Sequence, residues 1–262
     1  AGTDRCGYAL VTAKQSLRGM RSQRGSRGVL QEPLSKKRFS MNHTNDNDLQ
    51  LDVTEIFRSI QGESTRAGLP CIFIRLSGCN LRCSYCDTAY AYDSTTQLSI
   101  AAILDRISSW PGCPLVEVTG GEPLLQSATP RLLSRLSDTG YHVLLETNGS
   151  VLLPQRRSYV TVLDVKCPGS GESGSVEWAN LERLQDGDEV KFVVTGARDF
   201  EWAVQVVGDY GLSDQPVALL VSPVLDSCAP QELAQWILDS GLNLRLQLQL
   251  HRIVWPDTEC GV

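Results

Sequence analysis

Short apolar runs rich in β-branched and aromatic residues alternate along this chain with segments in which leucine and isoleucine recur at helical spacing. The runs predict strands, and the recurring positions predict helices with one apolar face. The predicted strands cover 71–76, 115–118, 141–146, 159–165, 189–194, 217–221 and 244–251. The predicted helices cover 98–110, 130–136, 200–210 and 230–240, the last ended by Gly241. Because strands and helices alternate, we expect an α/β fold of parallel βαβ units.

The number of predicted strands suits an open, partial (βα) barrel, and a flat doubly wound sheet is the alternative. Polar motifs follow directly after most of these strands, at 79–86, 120–123, 147–149, 164–166 and 222–223. In parallel α/β folds the functional residues collect at the carboxyl ends of the strands. We therefore expect these motifs to meet at one mouth, as they would in an enzyme.

The last predicted strand, 244–251, alternates strictly between apolar and polar residues. Its polar face carries Arg245, Gln247, Gln249 and His251. On a half-exposed strand this face would meet water, whereas in a barrel it would point inward. We favour the inward orientation, which places Gln249 and His251 at the site.

Charge divides the chain of 262 residues into two parts. The first 40 residues carry nine basic and two acidic residues, a net charge of +7, whereas the remainder carries a net charge of −13. We expect 1–40 to be a disordered basic extension upstream of a translation start at Met41, with a transit peptide or an RNA-binding arm as alternatives. We expect 41–262 to form a single catalytic domain.

The acidic body of the chain argues against binding to nucleic acid or to an anionic membrane surface. No apolar run reaches the roughly 18–20 residues that a membrane span requires. The sequence also contains no apolar segment of the kind that secretory signals carry. We therefore expect a cytoplasmic protein whose cysteines are thiols or metal ligands rather than a disulfide framework.

Cys79, Cys83 and Cys86 form a C-x3-C-x2-C motif in one short segment. Three thiolates can bind three irons of a [4Fe–4S] cluster and leave the fourth iron open for chemistry. A structural zinc site normally has a fourth Cys or His ligand, and the three histidines of the chain are remote in sequence. The motif therefore favours an iron–sulfur cluster, while a zinc site and a chance grouping of cysteines are the alternatives.

The cysteine motif follows the first predicted strand, and Gly120-Gly121-Glu122-Pro123 follows the second. This pair of motifs resembles the radical S-adenosylmethionine (SAM) superfamily. Over about residues 53–256 the resemblance narrows to the family of 7-carboxy-7-deazaguanine synthases. The more specific motifs are Ser-Ile-Gln-Gly-Glu at 59–63, Cys-Asp-Thr at 86–88, Glu-Thr-Asn-Gly at 146–149, Asp-Val-Lys-Cys-Pro at 164–168 and Gln-Leu-Gln-Leu-His at 247–251.

The resemblance implies a fold, an activity and a set of cofactors. The fold would be a partial (βα) barrel of the radical SAM type, with parallel strands and the site at their carboxyl ends. The enzyme would be a carbon–nitrogen lyase of queuosine and 7-deazapurine biosynthesis, which contracts the ring of 6-carboxy-5,6,7,8-tetrahydropterin to give 7-carboxy-7-deazaguanine and ammonia. Its cofactors would be a [4Fe–4S] cluster, SAM and Mg²⁺. Its partners would be a reductant such as flavodoxin or ferredoxin and a second copy of the chain in a homodimer.

Residue roles follow from the family's motifs. Cys79, Cys83 and Cys86 would hold the cluster, and Thr88 would bind Mg²⁺ through its hydroxyl oxygen. The residues expected around SAM are Tyr85, Cys86, Asp87, Gly121, Glu122, Asp164 and Lys166. The residues expected around the substrate are Ile60, Gln61, Gly62, Glu63, Arg75, Thr119 and Gln249. The resemblance implies no catalytic residue beyond the cluster and SAM.

Structural roles compete with several of these assignments. Arg75 could grip a substrate carboxylate in bidentate fashion or form an ion pair at the surface. Glu122 could face the amino group of SAM or cap the helix that follows it. Glu146 could simply form an ion pair at the end of its strand.

Two other functions remain as hypotheses. One is a radical SAM activating enzyme whose substrate is a protein partner, which would need a docking surface for that partner. The other is a non-catalytic module that binds zinc or an iron–sulfur cluster. The Gln-Gly-Glu and Cys-Asp-Thr segments favour the ring-contracting enzyme over the activating enzyme. Metal content and colour would separate the non-catalytic module, since a protein with a cluster is brown and contains about four irons.

Overall fold

A computed structural model describes residues 45–93, 96–258 and 260–262 of the chain. The predictions for 1–40 and for a start at Met41 lie outside these residues. Within the described ranges, none of the helices combines the length and the apolar character needed to cross a membrane.

One nine-stranded sheet organises the described residues. Its strands are β1 (Gln50–Ile60), β2 (Pro70–Leu76), β3 (Thr96–Ser99), β4 (Leu115–Gly120), β5 (His142–Thr147), β6 (Val160–Asp164), β7 (Glu189–Val194), β8 (Ala218–Pro223) and β9 (Leu244–Leu246). The α-helices are α1 (Ile100–Ser108), α2 (Thr129–Asp138), α3 (Ala197–Asp209), α4 (Pro230–Ser240) and α5 (Leu250–Val254). Local signals match their ends, since Ser99 caps α1 through a side-chain hydrogen bond and Gly241 ends α4 in the left-handed region.

Strand order decides between the two predicted architectures. The sheet runs β3-β1-β2-β4-β5-β6-β7-β8-β9. From β2 to β9 every neighbouring pair is parallel, and the order follows the chain without a reversal. A doubly wound sheet requires a point where the strand order reverses. The predicted α/β partial barrel is therefore confirmed, and the sheet stays open, with β3 and β9 as its edges.

The two faces of the sheet carry different side chains. The outer face packs against α1 to α4 in one large apolar core. The inner face has a small apolar cluster near the amino ends of the strands, formed by Cys71, Phe73, Leu115 and Leu144. Charged and polar side chains follow toward the carboxyl ends. This division leaves the inner face of the carboxyl half available for chemistry.

Three strand predictions were incomplete, each for a local reason. β3 was not predicted, because the helix was expected to start at Leu98, whereas α1 starts at Ile100 after its cap Ser99. No strand was predicted at β1, where a register shift between Val53 and Glu55 interrupts the alternation of buried and exposed positions. The strand predicted over 244–251 was too long, because β9 ends at Leu246. The backbone N–H of Leu250 donates to the carbonyl of Gly62 (3.0 Å), which takes the chain away from the sheet and into α5.

Candidate active site

The cysteine loop lies at the carboxyl end of β2, with its three thiols half-buried and free of disulfide bonds. The backbone N–H of Cys86 donates to the carbonyl of Cys83 (3.2 Å), which closes a tight turn. The sulfur of Cys79 accepts from the backbone N–H of Leu81 (3.4 Å) and from Nδ2 of Asn148 (3.8 Å). Two N–H donors are thus directed at the sulfur of Cys79.

Two glycines let β4 pass close beneath this loop. Gly120 has a φ of +142°, and a Cβ there would lie 2.0 Å from the carbonyl oxygen of Leu76. A Cβ on Gly121 would lie 2.0 Å from the carbonyl oxygen of Gly78 and 2.8 Å from Cβ of Cys79. Such distances are far below van der Waals contact, so only glycine fits at either position.

Glu122 is fully buried, and its carboxylate accepts hydrogen bonds from three other groups of the protein. It accepts from the backbone N–H of Leu124 (2.9 Å), the hydroxyl of Thr147 (2.9 Å) and the backbone N–H of Asn148 (2.7 Å). The structure thus gives Glu122 the capping role, and it also ties the turn after β4 to the end of β5. Burial raises the pKa of this carboxyl group, and the backbone N–H donors oppose that rise.

Asp164 and Lys166 lie together at the end of β6. Nζ of Lys166 donates to Oδ2 of Asp164 (2.8 Å). Burial alone would lower the pKa of Lys166, but Asp164 and Cys83 together raise it, and the net shift is upward. Oδ1 of Asp164 is buried and has no hydrogen-bond partner within the described part of the chain. An orphaned carboxylate oxygen at this position fits a donor on a ligand, such as the ribose hydroxyl of a nucleotide.

The donor set also bears on which metal centre the cysteines could hold. Among the described residues, no group of three or more His, Cys, Asp or Glu side chains is spaced to bind a single metal ion. A mononuclear zinc site needs such convergence. A [4Fe–4S] cluster does not, because each thiolate binds a different iron. Three free thiols on one loop, with two hydrogen bonds to the sulfur of Cys79, fit a cluster.

A buried ammonium lies deeper on the inner face. Nζ of Lys191 contacts Oε1 of Glu146, lies 2.8 Å from Oε2 of Glu63 and lies 3.5 Å from Oδ2 of Asp164. Burial alone would lower the pKa of Lys191, but these carboxylates raise it well above its usual range. We call Glu63, Glu146 and Lys191 the charged interior. Sequence reasoning missed Lys191, although a lysine inside the buried run of β7 was an available signal.

Glu117 lies on β4, close enough to Glu146, Glu63 and Lys191 to feel their charges, and it is buried. Its carboxyl group accepts a hydrogen bond from Nε2 of Gln61. Burial and repulsion from Glu146 raise the pKa of Glu117 well above its usual range, which favours the neutral acid. Oε1 of Gln61 accepts from the backbone N–H of Glu63 (2.9 Å), so both ends of this side chain are held.

Arg75 forms a buried ion pair rather than one at the surface. Its Nε donates to Oε1 of Glu55 (2.8 Å), and the two side chains are 15% and 9% exposed. The same carboxylate oxygen accepts from the hydroxyl of Tyr90 (2.7 Å). Burial alone would lower the pKa of Arg75, and Tyr90 and Glu55 raise it. Arg75 therefore stays charged at the site.

The loop between β1 and β2 covers the inner face. Ser64 and Thr65 donate from their hydroxyls to Glu189 on β7, at 2.9 and 2.6 Å. Gly62 packs against the C-terminal segment, since a Cβ there would lie 2.4 Å from Nδ1 of His251. A cavity of about 340 Å³ remains between this loop and the edge at β9, where Arg245 and Gln247 are among its lining residues.

The C-terminal segment reaches the site through Gln249. Its Nε2 donates to Oε1 of Glu63 (2.7 Å) and to Oδ2 of Asp87 (3.3 Å). Asp87 also accepts from the hydroxyl of Thr88 (2.9 Å). These contacts match the inward orientation expected for the polar face of 244–251, although the segment leaves the sheet before it reaches Gln249.

The remaining predicted residues lie around the same mouth. Thr119 donates from its hydroxyl to Oε2 of Glu146 (3.2 Å), which connects it to the charged interior. The hydroxyl of Tyr85 donates to the carbonyl of Val193 over 3.4 Å. Ile60 is half-buried at the end of β1. Ser222 donates from its hydroxyl to the carbonyl of Gln247 (3.0 Å), so it fastens the chain after β9.

Comparison with known proteins identifies the family. A model of the radical SAM superfamily matches residues 73–160. A 7-carboxy-7-deazaguanine synthase from Koribacter versatilis is 40% identical over 226 residues, which cover 81% of this chain and 100% of that protein. The chain belongs to the 7-carboxy-7-deazaguanine synthase family. A second member, from Chlorobaculum tepidum, is 41% identical over 216 residues, which cover 81% of this chain and 97% of that protein.

The structural comparison agrees on the fold. The crystal structure of QueE from Escherichia coli covers 79% of this chain and 99% of its own, with a TM-score of 0.61 and 24% sequence identity. The family and the radical SAM type of fold predicted from the motifs are therefore confirmed. Membership of the radical SAM superfamily implies a [4Fe–4S] cluster and SAM as cofactors.

Proposed function

We propose that this chain contracts the ring of 6-carboxy-5,6,7,8-tetrahydropterin to 7-carboxy-7-deazaguanine, with loss of ammonia, in the pathway to queuosine and other 7-deazapurines. The name shared by its relatives is the first support. The observation that carries the proposal is the pairing of two regions on one inner face. A cysteine loop fit for a cluster opens onto an interior with Arg75 on one side and a carboxylate group around Lys191 on the other.

The charges of this interior suit the two ends of a carboxylated pterin. The pyrimidine edge of a pterin presents N–H donors, which a carboxylate such as Glu146 or Glu63 can accept. The carboxylate on C6 of the pterin ring is an acceptor, which the guanidinium of Arg75 can grip in bidentate fashion. A carboxylate at the pyrimidine edge and a guanidinium at the C6 carboxylate would together fix the ring in one orientation.

The covered inner face favours a small substrate over a protein partner. The loop after β1 is held to β7 through Glu189, and the C-terminal segment is held to that loop by Gln249 and by the Leu250–Gly62 hydrogen bond. An activating enzyme must admit a segment of its partner at this opening. Here the β1–β2 loop and the C-terminal segment border that opening and are fastened to each other, which favours a small molecule over a protein segment.

The cofactors and the chain's own residues divide the chemistry. When bound, the cluster and SAM supply a carbon-centred radical that removes a hydrogen atom from the substrate. The thiols of Cys79, Cys83 and Cys86 would hold the cluster, and the free oxygen of Asp164 would accept from a hydroxyl of SAM. The charged interior would orient the pterin so that C6 faces the mouth of the barrel.

Four further elements belong to the proposal. Thr88 would bind Mg²⁺ through its hydroxyl, which in the present structure donates to Asp87. The chain would act as a homodimer in the cytoplasm. A low-potential protein such as flavodoxin or ferredoxin would supply electrons to the cluster.

Anaerobic turnover tests the proposal. The cluster is reconstituted, and the enzyme is supplied with 6-carboxytetrahydropterin, SAM, Mg²⁺ and a strong reductant. We expect mass spectrometry to detect 7-carboxy-7-deazaguanine from the wild type and none from Cys83→Ala. Cys113→Ala is the matched control, because Cys113 precedes β4 at the opposite end of the sheet, and it should retain activity. Cleavage of SAM without any 7-carboxy-7-deazaguanine would contradict the proposed substrate.

A further inference from the structure

Neighbouring side chains hold Arg75 through its Nε atom and the face of its guanidinium. Its Nε donates to Glu55, whose same oxygen accepts from Tyr90. The guanidinium carbon also lies 5.8 Å from the ring centre of Phe57 and 5.9 Å from that of Tyr90. The ion pair with Glu55, whose oxygen is shared with Tyr90, and two aromatic rings therefore determine where this side chain lies.

The two Nη atoms of Arg75 are the part left available. Within the described ranges, the hydrogen bonds of this side chain involve Nε alone. The Nη atoms form the edge of the guanidinium that binds a carboxylate with two parallel hydrogen bonds. A free arginine side chain loses rotamer entropy when a ligand fixes it. Here that ordering is complete before a ligand arrives.

Tyr90 links this arginine to the cysteine loop. It lies four residues after Cys86, in the short helical turn formed by Ala89–Ala91. The backbone N–H of Gly78, just before Cys79, donates to the carbonyl of Ala91 (2.9 Å). The segment that carries Tyr90 is thus anchored to both ends of the cysteine loop.

We infer that Glu55 and Tyr90 are positioning residues, which hold the Nη edge of Arg75 toward the carboxylate of the substrate and align it with the cysteine loop. The inference rests on the proposed function, because it assumes a carboxylated substrate. Glu55 acts through the acceptor that it offers to Nε. Tyr90 acts through its hydroxyl, which orients that acceptor, and through its ring.

Ligand binding tests this role without turnover. The holoenzyme, with its cluster and SAM but no reductant, is titrated anaerobically with two fluorescent probes, 6-carboxypterin and pterin, which differ only in the carboxylate. The ratio of their dissociation constants measures recognition of that group. We expect the wild type to prefer 6-carboxypterin, and Glu55→Ala to reduce this preference by about tenfold while binding to pterin changes little.

Conservative variants separate positioning from general damage. Glu55→Gln should restore most of the preference, because its amide oxygen can still accept from Nε of Arg75. Tyr90→Phe keeps the ring and loses one hydroxyl, so we expect a reduction of only about threefold. Glu201→Ala removes an exposed acid from α3 and should bind both probes as the wild type does.

The outcomes distinguish the inference from the proposed function. A wild type with no preference for 6-carboxypterin would overturn both. A clear wild-type preference that survives Glu55→Ala would overturn the inference alone. Equal losses for pterin and 6-carboxypterin in Glu55→Ala would also overturn it, because they would show a general structural role.

Discussion

The cysteine loop with its neighbouring glycines and the charged interior are built on different principles. The first depends on close backbone approach, since a Cβ on Gly120 or Gly121 would overlap the end of β2 or the loop itself. The second depends on partly buried carboxylates that are neutralised by one buried ammonium, that of Lys191. The first region therefore cannot accept added volume, and the second cannot accept a lost charge.

Lys191→Met should have the largest effect. The variant leaves the half-buried carboxylates of Glu63 and Glu146 without the buried cation that they share, and removing one partner of a buried pair costs up to about 3–5 kcal/mol. We expect the rate of 7-carboxy-7-deazaguanine formation to fall by at least about a hundredfold in anaerobic turnover. The midpoint of thermal unfolding should also fall.

Arg58→Met is the control for loss of a cation, because Arg58 is exposed on β1. We expect its rate and its unfolding midpoint to match those of the wild type. A Lys191→Met enzyme that works within about threefold of the wild-type rate would show that the charged interior does not hold the substrate.

Gly121→Ala should disturb the cysteine loop next most strongly. The added methyl group would press on the carbonyl of Gly78 and on Cys79, so the loop must move to accommodate it. We expect the iron content after reconstitution to fall to less than about half of the wild-type value, since thiolate geometry governs cluster binding. Iron analysis and visible absorbance measure this directly.

Gly208→Ala is the matched control for this glycine. Gly208 lies in α3, and a Cβ there would meet no atom within 4 Å. Alanine at this position should leave iron content unchanged and stabilise the helix by about 0.5–1 kcal/mol. Full iron incorporation by Gly121→Ala would contradict the view that backbone approach shapes the loop.

Glu117→Gln should change how stability depends on pH. Burial raises the pKa of Glu117 well above its ordinary value of 4.5, so the folded protein holds a proton that the unfolded chain releases. The folded state therefore loses stability as pH rises from that ordinary value toward the raised one. Glutamine is neutral throughout and removes this loss.

Thermal unfolding at two pH values checks this prediction. We expect Glu117→Gln to unfold at a higher temperature than the wild type at about pH 8, and the difference to shrink toward about pH 5. A variant less stable than the wild type at the higher pH would show that Glu117 is ionised in the folded protein.

Tyr85→Phe should have the smallest effect. The hydroxyl of Tyr85 makes one long hydrogen bond of 3.4 Å to the carbonyl of Val193. Loss of such a bond costs about 0.5–1.5 kcal/mol, and the phenyl ring remains. We expect turnover within about threefold of the wild-type rate. A much larger loss would mean that the hydroxyl contacts SAM or the substrate.

The two regions also differ in how far the sequence reveals them. Cys79, Cys83 and Cys86, with the glycines after β4, lie in short contiguous motifs, so their role is readable without a structure. Lys191 pairs with Glu63 across 128 positions of sequence. No local pattern shows that a charge in a buried strand has a partner so far away.

The strands, too, were predictable only where a local sequence pattern marks them. The parallel strands β4 to β8 were predictable because each is mostly apolar, rich in valine or leucine, and bounded by turn signals. β1 was not, since the register shift near Val53 breaks the alternation that marks a strand. The end of β9 was not predictable either, because the hydrogen bond that takes the chain out of the sheet joins Leu250 to Gly62, which lies far away in the sequence.

The most direct test of the comparison measures two products in one assay. Anaerobic turnover is followed for both 5′-deoxyadenosine and 7-carboxy-7-deazaguanine in the wild type, Cys83→Ala and Lys191→Met. We expect Cys83→Ala to form neither compound, and Lys191→Met to form 5′-deoxyadenosine but almost no 7-carboxy-7-deazaguanine. Wild-type levels of 7-carboxy-7-deazaguanine from Lys191→Met, or loss of both compounds while its iron content is intact, would contradict the separation of cofactor and substrate regions.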